Sequence, residues 1–172
     1  YLKKSVLCFI VLLIVACNSS ENQNIALVNI DSEISKEVKI EAENFTDSSG
    51  SVIIEKINDE LTFIESDTDG WIALDINIPT AGRYKVEIHA KNSGDETVVC
   101  WIEDYYDNKD GRQYNITSNI SFENANKKFI TLAKDGSPLN SGLHRIKLHY
   151  NKSIIIDWVK FSLIKKHDIT PK

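Results

Sequence analysis

From Val38 onward the chain is a succession of short segments in which apolar and polar residues alternate, the period of two that sends successive side chains to opposite faces of a strand. The clearest runs set Tyr84, Val86, Ile88 and Ala90 against Arg83, Lys85, Glu87 and His89, and Ile146, Leu148 and Tyr150 against Arg145, Lys147 and His149. Ile72, Leu74, Ile76 and Ile78 form a third core face, which leaves Trp71 on the opposite side. Pro79-Thr80-Ala81-Gly82 and Asn92-Ser93-Gly94-Asp95 are turn formers on either side of the first run. No segment sustains a helical period. About nine or ten strands in one domain predict an all-β fold, an antiparallel β-sandwich of the jelly-roll, galactose-binding-domain-like kind.

Two acidic clusters interrupt this pattern, Ile40-Glu41-Ala42-Glu43-Asn44 near the start and Ile154-Ile155-Ile156-Asp157-Trp158 near the end. A period of two puts Glu41 and Glu43 on one side of the first strand, and Asp157 on the side that bears Ile155, Val159, Phe161 and Leu163. A carboxylate among apolar neighbours needs a partner, because an isolated buried charge is too costly. If the two ends of the domain meet, three carboxylates form an oxygen-rich site for calcium. The other reading makes Glu41 and Glu43 the solvated face of an edge strand. Trp158 is expected in the core.

Residues 1–16 read as a signal peptide: Lys3-Lys4, an uncharged apolar run from Ser5 to Ala16, then Cys17 and a polar stretch. The run is too short for a mature membrane span. Ile14-Val15-Ala16-Cys17 resembles a bacterial lipobox, which implies acylation of Cys17 and a lipid anchor in the cell envelope, at the outer membrane or cell surface. An ordinary secretory signal is the alternative. Residues 17–37 form a polar tether, 38–164 the sandwich, and 165–172 a tail or linker. The chain has no Met and begins with Tyr1, so we expect residues before it, and its polar exit toward a linker leaves a following domain open.

Without Lys3 and Lys4, 18 basic residues face 25 acidic ones, a formal charge of -7, which argues against nucleic acid as a partner. Of three cysteines, Cys8 lies in the signal and Cys17 is the lipid site. Cys100 is left as a small buried hydrophobe with no partner for a disulfide.

Five segments, in order, carry a family resemblance: Ile40-Glu41-Ala42-Glu43-Asn44; Phe63-Ile64-Glu65-Ser66 with Gly70-Trp71-Ile72; Ile78-Pro79-Thr80-Ala81-Gly82-Arg83-Tyr84-Lys85-Val86; Ser141-Gly142-Leu143-His144-Arg145-Ile146-Lys147-Leu148; and Ile156-Asp157-Trp158-Val159. From about Val38 to Leu163 the chain resembles the family 6 carbohydrate-binding modules and their family 35 relatives. The resemblance implies a β-sandwich, a structural calcium at Glu41, Glu43 and Asp157, and noncatalytic binding of a polysaccharide or oligosaccharide. Phe63 stands where such modules place their first stacking ring, usually Tyr. A second ring is not identifiable between Phe122 and Phe129, and Ile155 replaces the usual sugar-binding asparagine.

Aromatic rings mixed with carboxylates and amides make the stretch from Trp101 to Tyr114 the longest predicted loop, with Tyr105 and Tyr106 as candidate sugar-stacking rings. The alternative is a solvated hairpin whose tyrosines pack on the rim. Trp71 is either a further stacking platform or covered by a loop. His89, His144, His149 and His167 lack metal-ligand spacing and read as surface strand or tail residues. Glu103 with Asp104 or Asp107 is the one carboxylate pair a glycosidase could use, at a separation of about 5 to 10 Å, but one loop on a compact sandwich offers no cleft. We therefore expect no enzyme within these residues, and a hydrolase or lyase domain beyond Lys172 is an open expectation. A structural or protein-interaction lipoprotein with a degenerate sugar site is the rival reading.

Overall fold

The computed structural model describes residues 36–57, 61–105, 113–123 and 128–167. The signal peptide, Cys17, all but the end of the tether, Tyr106 and Asp107 lie outside them. The strands are β1 (Glu37–Glu41), β2 (Asp47–Ser49), β3 (Val52–Lys56), β4 (Thr62–Ser66), β5 (Gly70–Ile78), β6 (Gly82–Asn92), β7 (Val98–Asp104), β8 (Tyr114–Asn115), β9 (Ile120–Phe122), β10 (Ile130–Leu139), β11 (Gly142–Tyr150) and β12 (Ile154–Lys166), with a short 3-10 turn at Ala42–Asn44. One sheet runs β10-β6-β12-β4-β3 with β1 also on β12, and the other runs β2-β5-β11-β7-β8 with β9 also on β7. Every pairing is antiparallel.

The three alternating faces read from the sequence meet in the core between the sheets. Tyr84, Ile88, Ile72, Leu74, Ile146 and Leu148 are all fully buried. Each such side chain contributes about 1.5 to 3 kcal/mol by leaving water, so hydrophobic burial holds this sandwich without a disulfide. Tyr84 keeps its hydroxyl satisfied by donating to the Thr80 carbonyl oxygen at 2.7 Å, so the turn before β6 is pinned to the core. Burial pushes the Cys100 thiol up to about 12. A thiol that stays protonated is a poor nucleophile. A maleimide applied to the native protein at pH 8 therefore leaves Cys100 unmodified, and peptide mapping detects its label only after unfolding.

Strand phase corrects the reading of both acidic clusters. The chain leaves β1 at Glu41 and turns through Ala42–Asn44, so Glu43 is not a strand residue on the side of Glu41. Ala42 is buried beneath it. In β12, Ile156 pairs with Ala90 and Trp158 with His89, leaving Asp157 as the extra residue of a bulge. The bulge switches the phase: Ile154 and Ile156 face the core before it, Val159 and Phe161 after it. Asp157 thus shares the outer side with Ile155 but not the core side of Val159 and Phe161, and Trp158 is not a core residue but stands half-buried on the outer face.

Candidate functional site

The outer face of the second sheet gathers rings and polar groups from three strands. Trp71 on β5, His149 on β11 and Trp101 on β7 form one cross-strand row, because β11 lies between the other two. Gly70 fixes the start of β5: a Cβ there would meet the Ser49 carbonyl oxygen at 2.4 Å. His149 stacks on Trp101 with ring centroids 5.0 Å apart and planes 4° from parallel. In the next row, Lys147 lies between Ala73 and Glu103. Its ammonium sits 3.7 Å from the ring centre of Trp71 and 4.8 Å from that of Tyr105. Trp71 and Tyr105, chosen from separate segments, therefore flank one lysine.

Glu103 is the hub of this face. Its Oε1 accepts from Trp101 Nε1 at 3.0 Å and its Oε2 from the Tyr105 hydroxyl at 2.9 Å. Burial, with the hydrogen bond and charge of Glu103, pushes the Tyr105 hydroxyl up to about 12. His149 Nε2 is 3.2 Å from Glu103 Oε2, and this buried nitrogen makes no hydrogen bond among the described residues. Burial lowers the His149 pKa despite that carboxylate, so the imidazole is neutral at pH 7. Below these rows, Arg145 grips Asp75 through two hydrogen bonds of 2.8 and 2.9 Å. The face presents flat rings beside oriented donors and acceptors, which suits a ligand with apolar faces and many hydroxyls.

Trp101, Lys147 and His149 were not identified as site residues. Their signal was present as outward positions on β7 and β11, but only the strand order makes them neighbours of Trp71. The predicted loop from Trp101 is corrected at its start, since Trp101 to Asp104 belong to β7.

Phe63 lies elsewhere. It alternates with the core residue Ile64, faces out from the first sheet, and is only 7% exposed. The ring beside Phe63 is Phe129, packed edge-on with centroids 5.9 Å apart. Phe129 stacks on His89, and His89 on Trp158, at 5.2 and 5.0 Å. These rings are in contact with one another, and Ile155 is 6% exposed beside them. No sugar-wide gap separates Phe63 from Phe129.

Among the carboxylates expected to hold calcium, Glu41 pairs in register with Trp158, next to Asp157. Burial raises the Asp157 pKa; His89 opposes the rise and Glu41 adds to it. Glu43 Oε2 is buried with no hydrogen-bond partner. Lys39 Nζ bonds Glu41 Oε1 at 2.7 Å and so supplies that carboxylate's positive charge. No group of three His, Cys, Asp or Glu side chains among the described residues is arranged to hold a metal ion. The donor chemistry nevertheless fits a hard cation, through the orphaned Glu43 oxygen above all.

His144 is not a surface residue. It is buried, with Nδ1 2.8 Å from Asp104 Oδ2 and Nε2 2.9 Å from the Asn140 carbonyl oxygen. The two rest at the edge of a cavity of about 580 Å³, also lined by Tyr114, Asn115 and Leu139. Glu103 and Asp104, adjacent on β7, point to opposite faces, so they do not form a glycosidase pair across one cleft.

No family sequence model matches the chain, and no curated protein sequence does. Solved structures do match. The C-terminal family 6 module of a marine laminarinase from Zobellia galactanivorans superposes with a TM-score of 0.56 at 16% identity, covering 73% of this chain and 98% of that one. This chain has the fold of the carbohydrate-binding modules of families 6 and 35. A family 6 module from Clostridium stercorarium, solved in complex with cellobiose, gives 0.60 at 14% identity, covering 73% and 93%. A family 35 module from Clostridium thermocellum gives 0.58 at 16%, covering 73% and 96%. The module fold shared with these structures is the two-sheet sandwich expected from the alternating strands.

Proposed function

We propose that this chain binds polysaccharide without chemistry, on the outer face of the second sheet. The observation that carries the reading is the placement of Trp71 and Tyr105 on either side of Lys147, beside the Trp101–His149 stack. Rings supply stacking surfaces, while the Lys147 ammonium supplies a directed polar group. Solved neighbours with this fold include a module holding cellobiose, which supports the same class of ligand here. The contact between Phe63 and Phe129 favours the sheet face over the position where Phe63 was expected to stack. A lipid on Cys17 would hold the module at the cell envelope, where tethering raises the local concentration of substrate for an attached or neighbouring enzyme.

Affinity electrophoresis against a polysaccharide panel tests the reading. Retardation on at least one glycan is expected; migration unchanged on every glycan, together with recovery of a protein partner by pull-down, would establish the interaction-lipoprotein alternative instead. Metabolic labelling with a radioactive fatty acid tests the anchor, with incorporation lost in Cys17→Ala.

Calcium belongs to the same proposal as a structural ion held by Glu41, Glu43 and Asp157, supplying positive charge beside Asp157, whose carboxylate burial disfavours. Added calcium is expected to raise the melting temperature, EDTA to reverse the rise, and Glu43→Gln to abolish it. An identical response in Glu43→Gln would remove that residue from the site.

A further inference from the structure

We propose that the surface around Trp71 selects an acidic sugar, a pyranoside bearing a carboxylate or sulfate group, and that Lys147 receives its anionic oxygens. The inference rests on the carbohydrate reading and deepens it.

The basis is a difference between the charged groups of this face. Both oxygens of Glu103 are taken, by Trp101 and Tyr105. Arg145 is held at both ends of its fork by Asp75. Lys147, in register between Ala73 and Glu103, has no ion pair among the described residues; its ammonium meets two ring faces instead. A ring face attracts a cation but accepts no conventional hydrogen bond. Lys147 is partly buried between Trp71 and Tyr105, so its charge is less screened than that of an exposed lysine. An anionic oxygen would make the charge-assisted bonds that the rings do not, and a neutral hydroxyl would make weaker ones.

Lys147 also covers the Trp71 ring on which a sugar would stack. Its four-carbon stem is flexible, so the ammonium is able to move off the ring and follow the anionic group while the apolar face of the sugar takes its place. Asp75 is paired with Arg145, and Glu103 accepts from Trp101 and Tyr105, so among the described residues neither carboxylate forms an ion pair with Lys147.

The test measures binding of the full chain at low salt to a polyuronate, to the same polymer after reduction of its carboxylates to alcohols, and to a sulfated glycan and its desulfated form. At least one acidic polymer is expected to bind about tenfold or more tightly than its neutral counterpart, as one added charge-assisted hydrogen bond implies. The two pairs separate carboxylate from sulfate. Lys147→Gln should erase the preference and Lys147→Arg should retain it, with melting temperatures confirming that both variants fold. Equal binding of acidic and neutral forms would overturn the inference and leave the carbohydrate reading standing. A preference that survives Lys147→Gln would remove Lys147 from the role, and failure to bind any of the four polymers or a wider neutral panel would overturn both.

Discussion

Replacing Trp71 with alanine is expected to remove most glycan binding while the sandwich remains folded. The side chain faces outward from β5 and is only partly buried, so its loss leaves Ile72 and Leu74 packed in the core. What disappears is the ring under Lys147 and the broadest apolar surface beside Tyr105. Aromatic residues at the centre of a binding surface commonly carry about 2 kcal/mol or more, equivalent to roughly a thirtyfold loss of affinity. Isothermal titration on the preferred glycan measures the loss, and circular dichroism checks the fold. Phe63→Ala provides the contrast. It opens a cavity beside Phe129 and lowers stability, but leaves glycan affinity within about twofold of wild type. The reverse ranking of the two variants would move the site to the first sheet.

Asp104→Ala has the largest expected effect on stability, about 3 to 5 kcal/mol, because it strands one member of a buried pair. The pair also makes stability depend on pH. Burial alone would lower the His144 pKa, but the Asp104 hydrogen bond, the Asn140 carbonyl and the Asp104 charge together raise it above 6.5. A raised folded-state pKa contributes stability that is full below pH 6.5 and is lost as pH climbs through the folded value. With Asp104→Asn the dominant influence becomes burial, so the His144 contribution reverses and acidification through the same range destabilises the variant. Urea denaturation across that pH interval separates the two slopes; parallel slopes would show that Asp104 does not set the His144 charge.

The core faces of β5, β6 and β11 were legible because each places apolar residues at strict two-residue spacing, and a register error would expose the whole set. Asp157 and Trp158 were misplaced for the opposite reason. A one-residue bulge leaves no mark in an apolar run such as Ile154-Ile155-Ile156, yet it exchanges the faces of everything that follows. His144 was misread because its position alternates correctly with Arg145, but a polar residue on a core face is recognisable only once its partner is known. That partner, Asp104, is 40 residues away.

The candidate site was legible in pieces. Trp71 and Tyr105 carried the ring chemistry of a sugar surface in their local sequence, whereas Trp101 and His149 required the β5-β11-β7 order to become part of it. Phe129 was overlooked because a loop preceding β10 sets its direction, and no periodicity constrains a loop. The resemblance pointed to Phe63, but the contact between Phe63 and Phe129 shifts the most suitable surface to the other sheet.

The three tryptophans distinguish the two sheets directly, because Trp71 and Trp101 lie on the proposed surface and Trp158 on the opposite one. Nitrogen-proton correlation spectra of the indole groups, assigned by single substitutions and recorded during titration with the preferred glycan, test the central claim. The account predicts that the Trp71 and Trp101 signals move with saturable dependence on glycan while Trp158 stays fixed. Movement of Trp158 with Trp71 and Trp101 unmoved would contradict it.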